Sequence, residues 1–552
     1  MQKNKRQNVK NVRSVIRQTV TGYAGLSLGI LLAVTGAIVT ALLPPWILGS
    51  IVDTITAGNT VPVALVILYF AFTVLTGLTE SLREGLLTVF GQKITHALRS
   101  SMMEKYTNLT AGELTKQEPG TIVSRFVGDV DTVENLFTSG IISMFADACK
   151  IISILVVIWL KNRGLAIVLL ILLPFLYWFT RTVQKNMLKA QIENRRAVGR
   201  ASGHVPETLH NIRTIHTLGK ERYMEQRYDE YIAESYRAVE RTNFYDAIYS
   251  PVILNAIVVA VVMLFSASGN AKVLTLFGMS AGTAVAVINY ISQIFTPVES
   301  LGMEIQTIQS AIAGVHRINE FYALEELPEK NSGEKPAEPR NRSENPFVEL
   351  QNVTFGYEDD DRKILQALNF QVYPGEQVTL SGRTGAGKST VFKLLLGLYQ
   401  PGEGKVLIQG RDAFQIPEHE KRSLYGYVEQ TFHRVPGTVK EQITLYDDSF
   451  TMEEVREAAR IAGLDATIEQ MEKGYDTPCT QEIFSQGQWQ LLSIARAAVA
   501  KPKLLLLDEI TANLDAQTEE EVLQALKRAS EGRTVISISH RVNAETGRII
   551  NI

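Results

Sequence analysis

Apolar residues are distributed unevenly along the chain. Before about residue 300 they gather in long runs with almost no charge; after about residue 325 they alternate with polar positions at strand and helix spacings. A hydrocarbon core of about 30 Å takes about 20 helical residues to cross. Six stretches approach or exceed that length: roughly Tyr23 to Ile51, Val61 to Leu82, Ile141 to Leu160, Leu165 to Thr180, Ile248 to Ala267 and Leu274 to Thr296. The fourth is short, and the fifth and sixth lie close together. The pattern predicts an α-helical membrane bundle of six transmembrane helices over residues 1–324, a polar linker over 325–346 and an α/β domain over 347–552.

Lys and Arg placement orients the bundle. Lys3, Lys5, Arg6, Lys10, Arg13 and Arg17 precede the first span, and no acid appears before Asp53. The connections Arg83–Gly140 and Arg181–Tyr249 are dense in basic residues, whereas the loop Asp53–Thr60 has none. The positive-inside bias places both connections, both termini and the C-terminal domain on the cytoplasmic side, against one dissenting turn with Lys161 and Arg163. The first run is too long for the apolar part of a cleavable signal. Each inner connection exceeds fifty residues and is poor in Gly and Pro. Helices of about 25 residues out and back would project about 40 Å below the membrane. Reversals are expected at Gly112 and Pro119-Gly120 in the first connection, and a break at Gly203 and Pro206 in the second.

Composition narrows the class. The 552 residues carry 55 Lys+Arg against 58 Asp+Glu, a near-balance that argues against a nucleic-acid partner. Cys149 and Cys479 are the only thiols, which excludes a disulfide framework or a Cys-based zinc site. Asp147 and Lys150 fall in the third span, where charges pair or face a cavity. His204, His210 and His216 step by six residues, which turns each by roughly 240° and denies them a common helix face.

The C-terminal domain carries the chemistry. Gly382-Arg383-Thr384-Gly385-Ala386-Gly387-Lys388-Ser389 is a complete G-x-x-x-x-G-K-[ST] loop, followed directly by Thr390. The strand-like Gln377 to Leu380 precedes it and the helix-like Val391 to Leu395 follows. Such a loop turns backbone N–H groups and a helix N-terminus toward phosphate oxygens. Lys388 would reach the β/γ-phosphates, and the Ser389 hydroxyl would ligate Mg²⁺. Leu504 to Leu507 read as a strand buried on both faces, ending in Asp508-Glu509. Asp508 would hold the metal, and Glu509 would orient and polarise an attacking water. Ile483-Phe484-Ser485-Gln486-Gly487-Gln488 opens a helical run, so Ser485 and the Gly487 amide make an anion site.

In this order the residues resemble the nucleotide-binding domain of ATP-binding cassette (ABC) transporters over 347–552. With the six spans ahead, nearly the whole chain is similar to a half-transporter of the exporter type. The resemblance implies that Tyr357 stacks on adenine, that Gln430 links Mg²⁺ to the membrane domain, that Asp515 belongs to the D-loop, and that His540 senses the γ-phosphate. It implies ATP and Mg²⁺ as cofactors, and a second half-transporter whose ATP is met by Ser485, Gly487 and Gln488. The tips near Ala111–Pro119 and Pro206–Arg213 would dock on the cassettes. The signature here is FSQGQ where the family usually has LSGGQ, with Gln486 in place of a glycine; that departure bears on the partner's ATP site and favours a heterodimer over a homodimer. The expected activity is ATP-driven export of an amphipathic or hydrophobic substrate (drug, lipid or peptide) across the cell membrane by alternating access. An importer of a metal chelate and a regulatory membrane ATPase without cargo remain alternatives.

Overall fold

The computed structural model describes residues 10–161, 163–267, 280–328, 345–357, 362–383, 385–510, 514–538 and 547–552. The chain divides into two units: residues 1–107 with 118–324, and residues 108–117 with 325–552.

The first unit is helical. α1 (Val12–Gly22), α2 (Ala24–Ala41), α3 (Leu43–Thr56) and α4 (Val63–Thr107) open it. The span expected from Tyr23 to Ile51 falls in one run, Ala24–Thr56, within which the helix breaks at Leu42, because Pro44 and Pro45 lack the N–H groups needed to continue it and instead start α3. The runs Ala24–Thr56, Val63–Thr107 and Pro119–Leu160 are long and apolar enough to cross a membrane. α4 continues 25 residues beyond Leu82, so the first inner connection begins as a helix.

Beyond Pro119, α-helical turns alternate with two π turns, Arg125–Asp129 and Leu136–Gly140, before α6 (Ile141–Lys161); α5 (Ala111–Lys116) belongs to the second unit. The fourth and fifth expected spans lie within α7 (Arg163–His210) and α9 (Glu221–Ala267). The break expected at Gly203 and Pro206 is absent: α7 runs through both to His210. A proline costs one helical hydrogen bond, and α9, packed along α7, holds the helix together across it. The turn comes instead at Asn211, followed by α8 (Ile212–Leu218), which Gly219 ends in the left-handed conformation at φ +60°. His204 is buried and stacks on Tyr228, its Nε2 meeting the Met224 carbonyl at 3.1 Å.

α10 (Ala281–Tyr322) contains most of the sixth span; residues 274–279 lie outside the described residues. Asp53 at the end of α3 accepts the Gly282 N–H at 2.7 Å and the Ser280 hydroxyl at 2.8 Å, which satisfies donors at the start of α10. Farther along, Arg317 donates from Nε and Nη2 to the buried carboxylate of Asp129, pinning α10 to the first π turn.

The second unit holds two sheets. β1 (Val348–Phe355), β2 (Leu365–Val372), β4 (Glu403–Ile408) and β5 (Arg411–Asp412) form an antiparallel sheet ordered β2-β1-β4-β5. β3 (Gln377–Ser381), β6 (Tyr425–Val428), β7 (Leu504–Asp508), β8 (Thr534–Ile538) and β9 (Arg548–Asn551) form a parallel sheet ordered β6-β7-β8-β3-β9. The four leucines of β7 are all buried, as a strand covered on both faces demands. The unit's longer helices are α11 (Lys388–Leu395), α12 (Met452–Ala462), α13 (Gln486–Ala498) and α14 (Ala516–Ser530). In an open parallel sheet, ligands bind beyond the C-terminal ends of the strands.

Candidate nucleotide site

The turn after β3 is built on backbone that few side chains tolerate. Gly385 and Gly387 sit at φ +84° and +103°, and a Cβ on Gly387 would lie 2.6 Å from Leu365 Cδ2. Gly387 caps α11, so the first free N–H groups of that helix face the turn. Lys388 is buried, and its Nζ donates to the carbonyls of Gly382 (2.8 Å) and Arg383 (3.1 Å). An ammonium has three donors, so the loop fixes the side chain while leaving it able to meet an anion. Ser389 is exposed beside it, and the Ala386 N–H closes the turn on Arg383 O at 3.0 Å. Thr384 lies outside the described residues.

Tyr357 stands close to this turn. Its hydroxyl lies 3.4 Å from Thr390 Oγ1 and accepts from Lys393 Nζ at 3.2 Å, while that ammonium sits 5.3 Å from its ring centroid. Phe355 and Tyr399 hold the ring edge-on, with centroids 5.1 and 5.4 Å away. Tyr399 in turn touches α5: its hydroxyl is 3.4 Å from Thr115 Oγ1, and a Cβ on Gly112 would lie 3.8 Å from its ring.

At the end of β7, Asp508 accepts a bond from the Tyr427 hydroxyl at 3.2 Å. Burial raises the proton affinity of Asp508, and the charges of Glu509 and Glu429 add to it; Tyr427 and Lys388 act against it. Glu509 adopts φ +43°, a costly conformation for a residue with a Cβ and one that concentrates at functional sites. Its N–H bonds Ile538 O at 3.2 Å, and its Oε2 accepts from Gln430 Nε2 at 3.3 Å. Two residues 79 positions apart in sequence are thus brought together. His540 lies outside the described residues.

Ser485 caps α13. Its hydroxyl accepts the Gln488 N–H at 3.3 Å, and Gln488 Oε1 accepts the Ser485 N–H at 2.9 Å, a reciprocal capping box. Asp515 caps α14 through the Thr518 N–H at 3.1 Å, and that bonding lowers its proton affinity. Gly487 is buried against Thr518, where an added Cβ would come within 2.0 Å of Cγ2. Gln486 is exposed and lines a cavity of about 280 Å³ together with Gln430 and Trp489. The signature residues therefore meet α14 and one another, whereas Lys388 meets its own loop.

The sequence reading missed three contributors. Gln490, buried, donates from Nε2 to the carbonyls of Glu429 and Gln430 and so holds the glutamine loop; a polar residue on the buried face of a predicted helix was its only signal. Tyr427 and Tyr399 gave none, because they read as ordinary strand and loop aromatics.

Gly487→Ala should overpack the α13–α14 contact, at about 1–3 kcal/mol, lowering the thermal midpoint of the purified protein and its ATP turnover. Adding Thr518→Ser, which removes the clashing methyl, should restore both.

A parallel sheet with a phosphate-binding turn after one strand and paired acids after another, fused to a helical membrane unit, defines a membrane-bound P-loop ATPase. Residues 26–298 match the family model of the ABC transporter transmembrane region, and residues 365–512 match that of the ABC transporter. The chain is 30% identical to an ATM1-type heavy metal exporter of Novosphingobium aromaticivorans, over 96% of this chain and 86% of that protein. It is 28% identical to a fatty acid ABC transporter ATP-binding/permease protein of Mycobacterium bovis, over 83% of this chain and 72% of that one. The structure of a bacterial Atm1-family ABC exporter with ATP bound aligns with a TM-score of 0.71 at 26% identity, covering 98% of this chain and 94% of that chain. The protein belongs to the ABC transporter family, as a half-transporter of the exporter type: an ATPase coupled to transport that works with a second half-transporter.

Proposed function

We propose that this half-transporter exports an amphipathic or hydrophobic substrate from the cytoplasm across the cell membrane, by alternating access. ATP would lie on the turn after β3, with Tyr357 against adenine and Lys388 on the terminal phosphates. Gly382, Arg383, Thr384, Gly385, Ala386, Gly387, Ser389 and Thr390 supply the rest of the cradle. Ser485, Gly487, Gln488 and Asp515 would face the ATP of the partner subunit. The observation that carries this reading is the meeting of Gln430 with Glu509 beside Asp508, at the end of a strand two places from β3 in the same sheet.

Glu509 accepts a proton from the water that attacks the γ-phosphorus; the new P–O bond forms as the bond to ADP breaks. Gln430 orients Glu509, and His540 steadies the γ-phosphate. The donor set beside Asp508 suits a hard divalent ion, since burial and the charges of Glu509 and Glu429 together outweigh the opposing Tyr427 hydrogen bond and Lys388 charge. Ser389, Gln430 and Asp508 would hold Mg²⁺, which when bound neutralises charge on the phosphates.

α5, held by Tyr399, would carry motion from the nucleotide to the membrane helices, and α8 would dock on the partner's cassette. At saturating ATP, Tyr399→Ala should therefore lower the ratio of cargo-stimulated to basal ATPase, whereas Tyr399→Phe keeps the aromatic contacts and the stimulation. Gln486 supports a heterodimer; a stable and fully active complex of this chain alone would refute that. Transport is tested in inverted vesicles holding the dimer: ATP should drive amphipathic dyes inward, and ATP hydrolysis without any accumulation would overturn the export reading.

A further inference from the structure

Asp147 and Lys150 stand one turn apart in an apolar helix, and the ATP machinery uses neither. The Asp147 carboxylate on α6 accepts the Ser300 hydroxyl of α10 at 2.5 Å. Glu304 follows Ser300 by four residues and so shares its face of α10. It is only 5% exposed, and its Oε2, with less than 1 Å² accessible, has no hydrogen-bond partner among the described residues. Besides burial, the charge of Asp147, of the same sign, acts on Glu304.

Charges on neighbouring segments are committed elsewhere. Asp129 bonds Arg317, Glu134 accepts from Gln92 and Thr95, Arg99 pairs with Asp131, and Lys10 pairs with Glu104. Asp53 caps the opposite end of α10. No described ion pair joins Lys150 to either acid.

A carboxylate is buried only with a counter-charge, and two adjacent carboxyls do not both ionise in a dry site. The counter-charge here must be small. A metal ion or an ammonium head cannot approach an oxygen closed to solvent unless α6 and α10 part, whereas a proton takes no volume. We propose that Asp147 and Glu304 form a proton-binding site in the membrane unit, with the proton on Glu304 and the negative charge on Asp147, where Ser300 stabilises it. If the helices separate during transport, water reaches Glu304, its O–H bond breaks, and the proton passes to water. Repacking takes one proton back. The coupling to helix movement rests on the exporter reading; the protonation does not.

Infrared spectroscopy of the full chain with its partner subunit in lipid tests the site directly. At neutral pH the parent should show a protonated-carboxyl C=O band that Glu304→Gln removes. Asp147→Asn removes the like charge and leaves burial, so its band should be lost on titration at a lower pH than the parent's. The sign for stability follows from proton counts. A folded state that keeps a proton the unfolded chain releases loses stability as pH rises above about 4.3, the ordinary Glu value. The thermal midpoint should therefore fall with rising pH more steeply in the parent than in Glu304→Gln. A Glu304→Gln difference spectrum holding only ionised-carboxylate bands, or identical pH slopes, would overturn the proposal. Because the band is read without turnover, a failure of ATPase or transport bears on the exporter reading alone.

Discussion

Glu509→Gln should leave ATP bound and nearly stop its hydrolysis. The substitution keeps the shape of the side chain, and an amide can still meet Gln430 across the 3.3 Å contact, but it cannot take a proton from water. Removing a general base costs typically 10²–10⁴-fold in rate, and a loss of that order is expected in dimers purified with their partner. Retention of labelled ATP should be unchanged or prolonged, since the step that ends the closed state is the one removed. Unaltered turnover would move the base elsewhere. The strained backbone at Glu509 adds a second expectation: the amide variant keeps the φ +43° geometry and should melt at the parent's temperature.

Lys388→Ala should fail one step earlier, at binding. The buried ammonium bridges the Gly382 and Arg383 carbonyls and would supply positive charge to the terminal phosphates. A hydrogen bond to a charged group contributes about 1.5–3 kcal/mol, so two or more lost contacts predict at least about 10²-fold weaker ATP affinity by equilibrium dialysis. The two variants thus separate: one holds nucleotide without consuming it, the other consumes little because it holds none. Parent-like affinity in Lys388→Ala would displace the phosphates from this turn.

The legible and illegible parts of the fold differ in how far the determining contact lies along the chain. The turn around Lys388 and the strand ending in Asp508 were readable because their chemistry is contiguous. The helical character of the inner connections was readable because it is a local property of their composition. The helix break at Leu42, marked by Pro44 and Pro45, lies inside a single apolar span, so hydropathy alone does not report it. Pro206 misled in the opposite direction, since packing by α9 overrides the lost hydrogen bond. Gln490 beneath the glutamine loop and Tyr399 between Tyr357 and α5 depend on pairings across 60 and 284 residues, which no periodicity reports. Asp147 stands out in the sequence by its charge, but its partner Ser300 lies 153 residues away.

The membership of residues 108–117 in the second unit has a consequence for how the protein is made. Thr115 leaves the ribosome 284 residues before the tyrosine that seats it. At about 5–20 residues per second, the tip waits roughly 14–57 s without the ring that packs beside Gly112 and Thr115. Translation that stalls in that interval leaves an unseated element for chaperones to guard, and a C-terminal fragment begun at the linker lacks a segment of its own tertiary structure.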